Sequence, residues 1–232
     1  NEYIVKTIVT TETIRTIAEA QHIKMYDCFT GFKWIANVMR ENEGKARYLG
    51  GGEESYGFLA EDFVRDKDSV SAISLMAEIA AWAKDKGLNM TDMLIDIYMK
   101  YGFSREKGIS LVRKGKSGAE EIIALMKQFR ENPPKEIAGS PVVTVKDFQS
   151  LVETNVATGE TKKLDMPATS NVLQYYTADR TKVSVRPSGT EPKIKFYIEV
   201  HDTLASADEY KATEARADEK INRIAKEFGI TK

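Results

Sequence analysis

Arg186-Pro-Ser-Gly-Thr-Glu-Pro-Lys-Ile-Lys-Phe-Tyr-Ile-Glu-Val200 joins a turn directly to a strand. In its second half Ile194, Phe196, Ile198 and Val200 alternate with Lys193, Lys195, Tyr197 and Glu199. That period of two predicts a strand with one buried face and one polar face, and puts Lys195 on the polar side. The first half packs a guanidinium, two hydroxyls and a glycine into the turn that feeds this strand. Arg186 offers a planar charged fork that matches phosphate oxygens, and Ser188 and Thr190 can each donate a further hydrogen bond. Pro187 stiffens the entry, and Gly189 lets backbone N–H groups turn toward an oxyanion. The same residue types also build an ordinary surface turn with nothing bound. Lys195 is equally readable as a solvated strand lysine.

Outward from this strand the C-terminal half is strand-rich. Val142 to Val145, Val172 to Tyr176 and Val183 to Val185 precede the turn. Ser206 and Glu209 read as the cap of a last helix with Tyr210, Ala217, Ile221, Ile224 and Phe228 on its apolar stripe and Gly229 as its stop. The expectation is a small α+β domain over 142–232, an antiparallel sheet with helices on one face. Asn132-Pro-Pro-Lys-Glu-Ile-Ala-Gly-Ser-Pro141 reads as a linker or hinge.

The first 131 residues alternate strand and helix signals, as in a layered α/β domain with a mixed sheet. An opening strand over Tyr3-Ile-Val-Lys-Thr-Ile-Val precedes a helix started by Thr11 and Glu12, with Ile14, Ile17 and Ala18 on its buried stripe. A strand over 23–29, a helix from Phe32 to Met39 and a short strand from Arg47 to Leu49 follow. A long helix opens at Asp68, with Ile73, Met76, Ala77 and Ala80 at helical spacing, and another runs from Thr91 to Tyr101. Gly115-Lys-Ser117 is no nucleotide loop, because a Walker motif needs glycine where Ser110 stands. Ser117 and Glu120 instead suit a capping box for a helix through Phe129.

Gly50-Gly-Gly-Glu-Glu-Ser-Tyr-Gly57 is a second candidate site. It places two carboxylates and a hydroxyl between glycines, on a backbone able to bend around a hydroxyl-rich ligand, with Tyr56 as an aromatic face. A solvated acidic loop is the plain alternative. Calcium fits poorly, because the spaced Asp/Asn ligands of an EF-hand loop are missing.

Composition narrows the classes of function. The 232 residues, 42% of them hydrophobic, can supply a core to each of two domains. With 34 basic and 35 acidic residues the formal charge is −1, which gives no electrostatic case for nucleic acid or an anionic membrane. No run of about eighteen apolar residues and no signal-peptide pattern is visible in the sequence, and a cytoplasmic protein is expected. Cys28 has no cysteine partner and reads as a packed thiol, and His22 and His201 are too few for a His/Cys zinc site.

Taken together, Thr30-Gly-Phe-Lys33, the Glu-Glu-Ser loop and the Arg-Pro-Ser-Gly-Thr turn resemble, in residues and in order, the α-D-phosphohexomutase superfamily of phosphoglucomutase/phosphomannomutase type. The resemblance covers the chain but only the C-terminal half of such an enzyme, its domains three and four. Asn1 leads almost at once into a core strand, which fits a truncated polypeptide whose N-terminal domains are missing partners. The resemblance implies a fragment without catalytic or metal residues of its own. In the full-length enzyme it implies Mg2+ and a hexose 1,6-bisphosphate intermediate. Thr30, Gly31, Lys33, Glu53, Ser55 and Lys67 resemble substrate-binding positions, and Arg186, Ser188, Gly189, Thr190 and Lys195 the site of the non-reacting phosphate. A non-catalytic sugar-phosphate-binding module, or a mutase for an amino-sugar or pentose phosphate, is the alternative, and the sequence does not choose between glucose and mannose.

Overall fold

The structure is a computed structural model describing residues 1–113, 115–189 and 191–230. It divides into two compact units, one formed by Asn1–Gly102 with Leu204–Ala207 and the other by Phe103–Thr203 with Asp208–Lys232.

In the first unit the order is β1 (Glu2–Thr7), α1 (Thr13–Ala20), β2 (Lys24–Cys28), α2 (Phe32–Asn42), β3 (Arg47–Glu53), β4 (Gly57–Ala60), α3 (Ser69–Asp85) and α4 (Met90–Tyr101). The sheet order is β2-β1-β3-β4, with β1 parallel to β2 and β3, and β4 antiparallel to β3. Parallel neighbours need crossovers, and the amphipathic α1 and α2 supply them. Phe32, Ile35 and Met39, one stripe of α2, pack with Tyr3, Val5 and Leu59 from the strands. Cys28 belongs to this core, and burial, helped by the charges of Asp27 and Glu53, pushes its thiol up to about 12.

The strand expected to stop at Leu49 continues through all three glycines to Glu53. Close approach explains the glycines better than bending does: a Cβ on Gly51 would run into the Val5 carbonyl of β1. The helix α3 opens at Asp68 as expected, and the Asp68 side chain caps it, accepting from the N–H groups of Val70 and Ser71. The expected stripe does not face inward, since Ile73 and Met76 are 68% and 51% exposed while Leu75 and Ile79 are half-buried. Nearly every side of α3 is apolar, so periodicity could not choose its buried face.

The second unit contains β5 (Phe103–Val112), α5 (Gly115–Glu131), β6 (Glu136–Ile137), β7 (Ser140–Asp147), β8 (Val152–Asn155), β9 (Thr161–Lys163), β10 (Leu173–Thr177), β11 (Lys182–Pro187), β12 (Lys193–Asp202) and α6 (Tyr210–Glu227). Its antiparallel sheet runs β5-β12-β11-β10-β7-β8-β9, with β6 paired to β7. Phe129 of α5, Phe228 just beyond α6, Phe196 of β12 and Tyr175 of β10 join into one aromatic cluster that fastens both helices to the apolar face of the sheet.

The chain divides after Gly102 and not at 132–141, because β5 pairs with β12 along its whole length, from Phe103 opposite Asp202 to Val112 opposite Lys193. The second unit, expected to be the smaller, holds the larger sheet. Ser117 lies inside α5, which starts at Gly115, and a 3-10 turn over Ala207–Glu209 leads into α6 with no side-chain cap. Among the described residues no helix is long and apolar enough to cross a membrane.

Candidate functional site

In the first unit the expected substrate-contacting residues gather at the carboxyl end of the parallel strands, where open α/β sheets bind ligands. Gly31 is the N-cap of α2 at φ +114, a left-handed conformation that strains any residue with a side chain. Its N–H donates to Oε1 of Glu53 at the end of β3, which ties the Thr30–Lys33 segment to the Glu-Glu-Ser turn. Among the described residues the second oxygen of Glu53 makes no hydrogen bond. Thr30 is half-buried, while Lys33 is exposed with its ammonium 5.3 Å from the centre of the Trp34 ring.

Lys67 joins the same cluster. Its ammonium lies 3.0 Å from Asp66 Oδ1 and 5.3 Å from the centre of the Phe32 ring. Gly57 makes this possible: a Cβ there would collide with the Phe32 ring and sit 3.5 Å from Lys67 Cδ. Phe32 thus seats the start of α2, the hairpin and Lys67 against one another. Ser55 and Tyr56 are exposed at the hairpin tip. Hollows of 500 Å³ and 760 Å³ flank it, the first reaching Glu53 and Gly52 and the second Lys67 and Phe58.

Sequence reasoning missed the partners of Glu54. Its Oε2 accepts from Thr7 Oγ1 at 3.1 Å and Thr10 Oγ1 at 3.0 Å, both at the end of β1. Beside them Lys6, 1% exposed, pairs with Glu12 at 3.1 Å and Asp27 at 2.9 Å. Nothing local in the sequence marks these groups as neighbours.

In the second unit Arg186 and Lys195 are direct cross-strand partners in β11 and β12, so both side chains stand on the polar face. Neither forms an ion pair with an acidic side chain among the described residues, whereas Lys193 is paired with Glu191. Lys193 holds the Glu191 carboxyl below the usual carboxylate range, and Lys195 adds to the effect. The turn itself is knit by the N–H of Ser188 to the carbonyl of Lys193 at 2.8 Å, and by the N–H of Glu191 to Ser188 Oγ at 3.3 Å. Ser188 therefore serves the turn as an acceptor. Gly189 avoids the left-handed region, and a Cβ there would meet nothing within 4 Å, so the fold does not require glycine at this point. Thr190 lies outside the described residues.

The profile described as phosphoglucomutase/phosphomannomutase, alpha/beta/alpha domain III matches residues 1–101, and that of the C-terminal domain matches residues 125–217. The phosphoglucomutase of Staphylococcus haemolyticus is 34% identical over 198 residues, 85% of this chain and 36% of that protein. The Staphylococcus aureus (strain COL) phosphoglucomutase is 35% identical over 195 residues, 84% of this chain and 35% of its own length. The chain thus spans little more than a third of these relatives. Among solved structures, parafusin from Paramecium, a phosphoglucomutase in open form, aligns with a TM-score of 0.58 at 15% identity, covering 96% of this chain and 38% of that one. A Burkholderia thailandensis phosphoglucomutase/phosphomannomutase family protein aligns with a TM-score of 0.50 at 17% identity, covering 98% and 38%. These two likenesses concern the fold alone. With two adjacent domain profiles matched in family order, the chain belongs to the phosphoglucomutase/phosphomannomutase family and carries its domain III and C-terminal domain.

Proposed function

We propose that this chain is the C-terminal part of a cytoplasmic phosphohexomutase that interconverts hexose 1-phosphates and hexose 6-phosphates. The whole enzyme would transfer a phosphoryl group from a phosphoserine to the hexose monophosphate, and the resulting 1,6-bisphosphate would turn around and return its other phosphate. Serine and magnesium belong to the N-terminal domains in this reading. Among the described residues no group of three or more His, Cys, Asp or Glu side chains could hold a metal ion.

What this chain contributes is binding. Glu53, fixed through one oxygen by the Gly31 N–H, accepts from sugar hydroxyls with the other, and Ser55, Thr30, Lys33 and Lys67 complete the sugar contacts. Arg186, Lys195, Ser188, Thr190 and the open backbone at Gly189 hold the phosphate that is not reacting. Phosphoryl transfer depends on alignment and charge stabilisation, so anchoring the distal phosphate supplies energy for positioning the attacking hydroxyl. The observation that carries the proposal is the pair of opposed cations, Arg186 and Lys195, at the mouth of a hydroxyl-bearing turn. Like charges placed directly opposite destabilise a sheet, and an anion between them reverses that effect.

Turnover tests the reading. Full-length polypeptide should convert glucose 1-phosphate to glucose 6-phosphate, while residues 1–232 alone should not. A full-length enzyme inactive on glucose, mannose, amino-sugar and pentose phosphates would overturn it.

A further inference from the structure

Glu53 and Glu54 are adjacent in sequence yet brace different segments. Glu53 accepts from Gly31 at the start of α2, whereas Glu54 accepts from the Thr7 and Thr10 hydroxyls at the end of β1, at 3.1 Å and 3.0 Å. Thr7 and Thr10 are 0% and 7% exposed and their hydroxyl oxygens lie 2.9 Å apart, so Glu54 is held by a fixed pair of donors in the body of the unit. Between these anchors runs a tight hairpin. Glu53 pairs with Gly57, which leaves Glu54, Ser55 and Tyr56 as a three-residue loop. Such loops want a left-handed residue in last place, usually glycine. Here it is Tyr56, at φ +67. A bulky residue in that conformation is strained, and its side chain, fully exposed, gains nothing from packing in return.

We propose that Glu54 is a positioning residue of the sugar site: clamped by Thr7 and Thr10, it holds the strained turn in one conformation and so sets where Glu53 and Ser55 present their oxygens. This rests on the reading of Glu53 and Ser55 as sugar ligands given under Proposed function. It assigns the two carboxylates of the Glu-Glu pair different work. Glu53 meets the ligand, and Glu54 spends its accepting oxygen on the protein. Thr7 and Thr10 become part of the site without touching substrate.

The test compares variants of the full-length enzyme in steady-state kinetics with glucose 1-phosphate, with inorganic phosphate as inhibitor. Replacing both threonines by valine (Thr7→Val with Thr10→Val) keeps their shape and removes both donors. KM for glucose 1-phosphate should rise about tenfold, as for loss of hydrogen bonds to a charged acceptor. Inhibition by inorganic phosphate, which has no hydroxyls to align, should stay unchanged. The serine pair (Thr7→Ser with Thr10→Ser) keeps the donors and should restore KM, which a loss of packing alone would not allow. If the valine pair fails to fold, Glu54→Ala, at an exposed position, carries the same expectation. Wild-type KM in the valine pair and in Glu54→Ala, beside an impaired Glu53→Gln, overturns the clamp and leaves the sugar site standing. An unimpaired Glu53→Gln overturns both.

Discussion

Arg186 and Lys195 face each other across neighbouring strands, one pair of residues before the β11–β12 hairpin opens into its turn. Without a ligand this is a repulsive arrangement, so phosphate binding and fold stability should respond to it in opposite directions. Lys195→Thr should raise the stability of the ligand-free chain by about 0.5 kcal/mol while weakening phosphate binding. Urea unfolding with and without inorganic phosphate measures both, and a stability loss without ligand would contradict the expectation.

Arg186→Ala would remove the bidentate, charge-assisted contact proposed for the non-reacting phosphate. In the full-length enzyme kcat/KM for glucose 1-phosphate should fall by the equivalent of about 2–3 kcal/mol. Arg186→Lys keeps the charge without the fork and should lie between the two. Wild-type kcat/KM for a folded Arg186→Ala enzyme would remove Arg186 from the site.

Glu53→Gln retains an oxygen for Gly31 but loses the charge proposed to accept sugar hydroxyls. The expected outcome is a lower kcat/KM for hexose phosphate with inhibition by inorganic phosphate nearly intact. Equal losses for the two ligands would indicate general disruption of the fold.

The buried pair Lys182–Glu199, 2.8 Å apart with His201 Nε2 3.1 Å from the same carboxylate, ties acid stability to the second unit. Burial alone would raise the Glu199 pKa, but the Lys182 charge and the hydrogen bond from His201 outweigh it and lower it to about 2. A carboxyl depressed in the folded state stabilises fully above its unfolded pKa. That contribution is lost as pH falls from about 4.3 toward 2. Glu199→Gln should therefore be less stable than wild type at pH 7, by about 2–4 kcal/mol, with the gap closing in that acid window. Urea titrations at pH 7 and pH 3 check it, and a gap that widens on acidification would refute the assignment.

Gly57→Ala should destabilise the first unit by about 1–3 kcal/mol, since the new methyl group meets the Phe32 ring in a packed core. Thermal unfolding measures the loss. In the full-length enzyme KM for glucose 1-phosphate should rise with it, because Phe32 also seats the Thr30–Lys33 segment and Lys67.

The strand that follows the Arg-Pro-Ser-Gly-Thr turn was legible from residues 193–200 alone, because a half-buried strand writes its period of two directly into the sequence. The start of α3 at Asp68 and the stop of α4 at Gly102 were legible for the same local reason. What escaped was non-local. Ser104-Arg-Glu-Lys-Gly108 in β5 carries the charges and glycine that keep an exposed edge strand from aggregating, and these mask its strand character. The proline-rich stretch at 132–141 drew the boundary away from Gly102. The Glu54 clamp joins residues 47 and 44 positions apart, which no window along the chain can reveal. Lys67 lies at the expected cluster because Gly57 lets Phe32 and the lysine stem close in, a contact that depends on an absent side chain.

The pairing of β5 with β12 also governs when the second unit can form. Phe103 finds its partner Asp202 about a hundred residues later, and every other rung of that ladder spans a large loop. Contacts so distant slow folding, and during synthesis β5 must wait, unpaired, until the last strand has emerged. A fragment beginning at 142 would lack β5 and α5, leaving β12 with a bare edge and the Phe196 side of the sheet stripped of the helix that brings Phe129. The prolines that look like a boundary are thus an interior bend of a unit whose first strand is its last to be completed.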